Sequence, residues 1–176
     1  MAVPYDESAL LVALPEAEAA VGRFRAALDS SAALGVPAHV TVLYPFMPPG
    51  LITDEVMAEL RRAFTTVPAF DVTLGSVGWF DNSVVYVHPS PAAPFRRLTS
   101  LVVERWPEWP PYGGRFGEPT PHLTIGDHGD PDDLRRAGEA VDAQLPIAAH
   151  VAEVQLYRRA QSWTWCASFP LGSAAP

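Results

Sequence analysis

Apolar residues recur along the chain with two periods, and the periods alternate from one stretch to the next. Apolar runs, or apolar residues at every second position, predict strands at residues 8–14, 39–44, 70–74, 84–88, 121–126, 147–157 and 163–169. Apolar residues spaced three and four apart predict helices at residues 16–30, 53–64, 95–105 and 130–145. Gly75, Gly78 and residues 81–83 predict turns, and a change of apolar phase between Val151 and Val154 predicts a bulge.

The order of these elements repeats once. Strand, helix, strand, helix and strand follow one another in residues 8–77 and again in residues 84–157, with an added strand at 163–169. A chain of 176 residues is long enough for one domain with a full core. We therefore expect one α+β domain over residues 1–176, two-lobed and pseudo-symmetric, with an antiparallel-type sheet in each lobe and helices packed outside.

The second strand of each unit carries the same polar pair. His39 and Thr41 flank one apolar residue, and so do His122 and Thr124. Because side chains alternate along a strand, each His and its Thr point to the same face, with Cα atoms roughly 6.5 to 7 Å apart. An imidazole exchanges a proton near neutral pH, and a threonine hydroxyl can donate to an oxyanion. Two such pairs facing a central cleft would place an acid, a base and two donors around one tetrahedral group.

Two other interpretations use the same region of the chain. A histidine in a strand is usually structural, but two copies in equivalent positions favour catalysis. A metal site would add Asp127 and His128 as ligands, although the spacing matches no compact zinc pattern such as H-E-x-x-H. A serine hydrolase is disfavoured because no Ser lies in a G-x-S-x-G setting. We therefore expect paired-histidine chemistry that uses no metal and no cofactor.

Charge and hydropathy narrow the functional classes. All 12 basic side chains are Arg, and the absence of Lys excludes a Walker-type phosphate loop, a Schiff-base enzyme and a lysine-nucleotidylated ligase. The net charge of −8 argues against a long nucleic-acid footprint. No apolar run has membrane-spanning length and the N-terminus lacks a signal-peptide pattern, so we expect a cytoplasmic monomer without a membrane partner. The single Cys166 is interpreted as a packing residue.

The residues that carry this chemistry also resemble those of a known family. The resemblance rests on His39-Val40-Thr41 with the following Tyr44-Pro45-Phe46, then Pro121-His122-Leu123-Thr124-Ile125-Gly126, then Leu156-Tyr157-Arg158 and Trp163. These segments are similar to the 2H phosphoesterase superfamily, in its 2′-5′ RNA ligase-like branch, and they span nearly the whole chain. The resemblance implies a two-lobed α+β fold, motifs that line a central cleft, no metal, and chemistry on cyclic phosphodiesters or 2′-5′ linkages.

The expected reaction opens a 2′,3′-cyclic phosphate. It requires water activated on one side of phosphorus and a proton delivered to the leaving ribose oxygen on the other. We expect Thr41 and Thr124 to donate to the non-bridging oxygens. By the resemblance, His39 would protonate the leaving 3′-oxygen and His122 would activate water, which leaves a 2′-phosphomonoester. The approximate symmetry of the motifs leaves the opposite assignment of acid and base open.

Four further residues are candidates for substrate binding. Tyr44 and Phe46 follow the first motif strand and are candidates for stacking on a base, with core packing as the alternative. Arg115 and Arg158 are candidate phosphate partners. The expected substrate is a nucleotide or a short RNA end. The alternatives are a small cyclic nucleotide or ADP-ribose-type cyclic phosphate, and a nucleotide- or RNA-end-binding protein without turnover.

Overall fold

The computed structural model describes residues 6–173, so the ends of the predicted 1–176 domain lie outside the described residues. The strands of the described part are β1 Glu7–Ala13, β2 His39–Leu43, β3 Phe70–Phe80, β4 Val84–Ser90, β5 Leu123–Gly126, β6 Ile147–Val151, β7 Glu153–Arg159 and β8 Trp163–Pro170. The helices are α1 Glu18–Leu28, α2 Ser30–Ala33, α3 Asp54–Thr65, α4 Ala93–Arg105 and α5 Pro131–Asp142. Single 3-10 turns lie at Pro15–Ala17, Pro49–Leu51 and Pro111–Gly114.

The strands form one curled, half-barrel sheet in the order β6-β3-β4-β5-β2-β1-β7-β8, and every neighbouring pair is antiparallel. Its two four-stranded halves meet where β2 pairs with β5, with Val40 opposite Leu123. This architecture confirms the predicted two-lobed, pseudo-symmetric α+β fold. The two lobes share one continuous sheet, and the two motif strands are its central pair.

The hydrophobic core lies between this sheet and the helices that cover one face of it. Helices α1, α4 and α5 pack on β5, β2 and β4, while α3 packs on β8. The residues between each His and Thr, Val40 and Leu123, are fully buried in this core. Because side chains alternate along a strand, their polar neighbours must point to the opposite face of the sheet. The fold therefore carries both motifs on one surface.

Two helix starts follow directly from local sequence. The Thr53 hydroxyl accepts a hydrogen bond from the Val56 N–H at 3.3 Å, and the Asp130 carboxylate accepts one from the Asp132 N–H at 2.8 Å. Each contact satisfies a backbone donor that has no partner within the helix. Both N-caps therefore coincide with the predicted helix starts at residues 53 and 130. Among residues 6–173, no helix is long and apolar enough to cross a bilayer.

Three predicted boundaries are wrong. The turns expected at Gly75 and Gly78 lie inside β3, where a Cβ atom at Gly78 would collide with the His88 ring, so this glycine permits close packing. The strand expected at 147–157 is two strands, because the chain leaves β6 at one edge of the sheet and enters β7 in the other half. The helix expected at 16–30 ends at Leu28, since Asp29 caps α2 instead.

Candidate active site

A cleft of about 850 Å³ lies on the face of the sheet that is opposite the core. His39 and Thr41 line it from β2, and His122 and Thr124 line it from the segment that forms β5. The structure therefore brings the four predicted catalytic side chains to one cavity. Its volume lies within the range typical of small-molecule sites.

The two histidines make the same local hydrogen bond. The Nδ1 atom of His39 lies 2.7 Å from the Pro37 carbonyl oxygen, and the Nδ1 atom of His122 lies 2.7 Å from the Thr120 carbonyl oxygen. A carbonyl oxygen can only accept, so Nδ1 carries the hydrogen in each ring. The Nε2 atom of each neutral imidazole is then the one that takes up a proton. This shared tautomer leaves two equivalent nitrogen atoms for chemistry in the cleft.

Strand register determines how the motifs face each other. Val40 and Leu123 are direct partners across β2 and β5. Continuing this antiparallel register places His39 beside Thr124 and His122 beside Thr41. The two imidazoles then occupy diagonal corners of a four-residue patch, with backbone positions roughly 7–8 Å apart. A phosphoryl group between the corners would meet an imidazole on each side and a hydroxyl beside each imidazole.

Both imidazoles are biased toward the neutral form in the unliganded cleft. Burial lowers the pKa of His39 from 6.5 to about 4, the hydrogen bond to Pro37 opposes this shift, and the positive charge of Arg25 adds to it. Burial also lowers the pKa of His122, against the opposing effect of its bond to Thr120. A general base must be unprotonated to act, so this environment suits proton abstraction. An anionic substrate would favour the protonated form of an imidazole close to it.

Aromatic rings hold His122 from the side of the second lobe. The His122 ring meets Phe80 edge to face at 4.9 Å between centroids and Tyr86 at 5.4 Å, while Phe80 stacks on Tyr86 at 4.3 Å. Such contacts restrict the orientation of the imidazole. This cluster was not predicted from the sequence. The alternation along β4 could have indicated part of it, because Val85 and Val87 face the core and Tyr86 must therefore face the cleft side of the sheet.

Tyr44 belongs to a polar network on the first-lobe wall of the cleft. Its hydroxyl donates to the Glu7 carboxylate at 3.1 Å, and its ring meets Trp163 edge to face at 5.8 Å. The same carboxylate lies 3.5 Å from the guanidinium of Arg159, which also lines the cleft. The predicted substrate-binding residue Tyr44 therefore lies in the cleft, together with Arg159, which was not predicted from the sequence.

The other three predicted binding residues lie elsewhere. Phe46 is 2% exposed and packs in the core against Trp106, with ring centroids 5.6 Å apart, so the prediction that it stacks on a base is corrected. Arg158 is exposed and does not line the cleft, because it shares strand parity with the core residue Leu156. Arg115 is exposed and does not line the cleft either.

The loop that carries Arg115 contributes two aromatic residues to the cleft instead. Tyr112 and Phe116 both line it, with ring centroids 5.8 Å apart. The Tyr112 backbone N–H donates to the carbonyl oxygen of Tyr44, the residue that follows β2, at 2.6 Å. The loop is therefore tied to the end of the first motif strand and forms part of the cleft wall.

The residues considered for a metal site are engaged in other contacts. Asp127 accepts hydrogen bonds from the Ser30 N–H at 3.0 Å and from the His128 ring at 2.9 Å. Within residues 6–173, no group of three or more His, Cys, Asp or Glu side chains is arranged to hold a metal ion. Asp127 instead joins the end of β5 to the start of α2.

The family model of the 2'-5' RNA ligase superfamily matches residues 13–163, which include both motifs. The chain belongs to this superfamily of 2H phosphoesterases, whose members are phosphodiesterases. None of the curated proteins compared with the chain matches it significantly.

Three solved structures share the fold along almost their whole length. E. coli LigT complexed with 3'-AMP is 18% identical, with 95% of this chain and 98% of that chain covered and a TM-score of 0.61. TT0787 of Thermus thermophilus is 18% identical, with 96% and 100% covered and a TM-score of 0.64. Kluyveromyces marxianus Usb1 is 15% identical, with 95% and 99% covered and a TM-score of 0.50. At these identities the likeness shows the fold alone.

Proposed function

We propose that this protein hydrolyses the 2′,3′-cyclic phosphate, or a 2′-5′ linkage, at the end of a nucleotide or short RNA and leaves a 2′-phosphomonoester. The observation that carries the proposal is the pair of imidazoles with the same tautomer on adjacent strands of one cleft. Membership of a superfamily of phosphodiesterases supports the reaction class. The motif supplies both an acid and a base, which a protein that only binds nucleotides does not need.

The mechanism moves two protons across one phosphorus centre. A neutral imidazole takes a proton from water at its Nε2 atom while the water oxygen bonds to phosphorus. The other imidazole, protonated, gives its Nε2 proton to the ribose oxygen as the bond from that oxygen to phosphorus breaks. Each transfer is worth about 10²- to 10⁴-fold in rate. The hydroxyls of Thr41 and Thr124 donate to the non-bridging oxygens, where negative charge accumulates.

The environments of the two histidines bear on their roles. The low pKa of His39, near the charge of Arg25, favours His39 as the base in the unliganded protein. The family resemblance implies the reverse, with His39 as the acid. A substrate with an activated leaving group, such as a p-nitrophenyl phosphodiester, distinguishes the two assignments. It should restore the rate of the variant that lacks the acid and leave the variant that lacks the base slow.

Charge around the cleft favours the smallest substrates within this class. Asp81, Asp127 and Glu118 line the cleft, whereas Arg159 is the single arginine among its described lining residues and is paired with Glu7. A second phosphate would meet more negative than positive charge. A cyclic mononucleotide, or a small cyclic phosphate of similar size, is therefore the second candidate substrate. The cytoplasmic location and the monomeric state stay predictions.

A panel of substrates tests the proposal. Adenosine 2′,3′-cyclic phosphate, a dinucleotide and a short oligomer with the same cyclic end, and a 2′-5′ linked dinucleotide should be incubated with the protein in EDTA. Phosphorus NMR should detect a 2′-monoester from the cyclic substrates. Formation of the 3′-monoester alone would show that the wrong oxygen was assigned as the leaving group. No turnover of any member would contradict the proposed function.

A further inference from the structure

A buried ion pair adjoins the first-lobe wall of the cleft, which its Asp29 helps to line, and it is separate from the four catalytic residues. Arg25 and Asp29 are each only 2% exposed, and the Arg25 Nε–H donates to the Asp29 carboxylate at 2.9 Å. Burying two charges is costly unless further hydrogen bonds satisfy them. The partners of this pair therefore show what the pair holds in place.

The pair joins three segments of the chain. Asp29 accepts hydrogen bonds from the backbone N–H and the hydroxyl of Ser31, both at 2.8 Å, and so fixes the start of α2. The Nη2 atom of Arg25, on α1, donates to the Val36 carbonyl oxygen at 3.2 Å. Val36 is the first residue of the short segment, 36–38, that leads into β2. Arg25 thus connects two helices to the segment that precedes His39.

This segment supplies the acceptor that orients His39. Arg25 holds the Val36 carbonyl, and the Glu18 carboxylate accepts a hydrogen bond from the Ala38 N–H at 2.6 Å. Between these two anchors lies the Pro37 carbonyl, which accepts the hydrogen of His39 Nδ1 at 2.7 Å. Pro37 has no N–H through which a side chain could anchor it. The position of its carbonyl therefore depends on the anchored neighbours Val36 and Ala38.

We propose that the Arg25–Asp29 pair, together with Glu18, is a positioning device that fixes the tautomer and ring orientation of His39 through the Pro37 carbonyl. The role in catalysis rests on the proposed function, but the effect on the ring does not. A ring nitrogen held by a fixed acceptor presents the opposite nitrogen to the substrate in one orientation. Small errors in such an orientation cost rate more than binding.

His122 lacks an equivalent device and provides an internal comparison. Its acceptor is the carbonyl of the exposed residue Thr120. In the described part of the chain, no other side chain is hydrogen-bonded to the backbone of residues 119–121. Changes to the buried pair should therefore alter the His39 ring and leave the His122 ring unchanged.

The first test replaces both charges together, because a single replacement would leave an uncompensated buried charge. The variant is Arg25→Met with Asp29→Asn, in which the amide oxygen can still cap α2. The matched control is Arg136→Met with Asp133→Asn, an exposed ion pair three residues apart on α5. Nitrogen-15 NMR of the histidine rings reports the tautomer without substrate, and steady-state kinetics on a 2′,3′-cyclic nucleotide report kcat and KM.

In the buried-pair variant, we expect His39 to populate both neutral tautomers, kcat to fall about 10- to 100-fold and KM to stay within about twofold. The limb of the pH profile assigned to His39 should shift, while His122 and the control variant keep their native signals. A folded variant whose His39 keeps the Nδ1–H tautomer and whose kcat is unchanged would overturn the proposal. A tautomer change in a protein that hydrolyses no cyclic phosphate would support positioning and reject the proposed function.

Glu18 offers a second test that avoids a buried charge, since its side chain is 42% exposed. Glu18→Ala removes the acceptor of the Ala38 N–H, so kcat should fall about 3- to 10-fold and His39 should again populate both tautomers. Glu18→Gln keeps an oxygen acceptor and should restore both values. Equal kinetics and equal His39 signals in the Ala and Gln variants would contradict the role of this anchor.

Discussion

Acidification should destabilise the protein through His39. The pKa of its imidazole is about 4 in the folded protein because burial disfavours the charged form, against 6.5 for an unperturbed histidine. Between these values the unfolded chain binds more protons than the folded protein, so stability falls as the pH falls. The stability that the neutral His39 side chain contributes is fully present above the unfolded-state pKa of 6.5. It is lost as the pH falls toward the folded-state pKa of about 4. His122 acts in the same direction, since burial also lowers its pKa.

The size of the effect follows from the two pKa values of His39. Proton uptake by the unfolded chain alone should lower the free energy of unfolding by about 2 kcal/mol between pH 7.5 and pH 5. For a protein of this length, that corresponds to a decrease in Tm of roughly 4–8 °C. A glutamine at position 39 has no proton to gain, so its variant should lack this part of the pH dependence.

Urea unfolding followed by tryptophan fluorescence measures the effect in the native protein and in His39→Gln at both pH values. The difference between the two pH dependences isolates His39 from the carboxylates that also titrate in this range. Leu51→Gln, at an exposed position that carries no titratable group, is the control and should keep the native pH dependence. An unchanged pH dependence in His39→Gln would refute the argument that burial keeps this imidazole neutral.

Three further predictions concern residues around the cleft. Phe46→Ala should lower the free energy of unfolding by about 3–5 kcal/mol, measured in urea, without changing KM, because this ring packs in the core. Arg159→Gln should raise KM for a cyclic nucleotide about 3- to 10-fold and Arg158→Gln less than twofold, since only Arg159 lines the cleft; equal effects would contradict this placement. A structured RNA should bind no more tightly than a cyclic mononucleotide, and a log–log salt slope steeper than about −4 would show a cationic surface that the cleft does not contain.

The sequence predicted the parts of the site that depend on strand alternation. His39 and Thr41 were placed correctly on one face because the residue between them is apolar and buried. The same rule could have corrected the choice of Arg158, since Val154 and Leu156 mark the core face of β7 and Arg158 shares their parity. Phe46 follows the end of β2, where alternation no longer indicates the direction of a side chain.

Other features depend on contacts that no local pattern contains. The aromatic cluster at His122 joins β3, β4 and the second motif, which are adjacent only in the folded sheet. Ala152 separates β6 from β7, and its carbonyl oxygen accepts a hydrogen bond from the Leu171 N–H at 2.8 Å. This partner is distant in sequence, so no local pattern indicates it. The Arg25–Asp29 pair was not selected, since one Arg on a helix is usually a solvated charge.

The central claim is that His39 and His122 act together as acid and base without a metal. The most direct measurement is kcat on a 2′,3′-cyclic nucleotide, in EDTA, for His39→Ala, His122→Ala and the double variant. Each single variant should lose roughly 10²-fold or more, and the double variant should lose much less than the product of the two. Full activity in either single variant, or loss of native activity in EDTA that zinc restores, would contradict the claim.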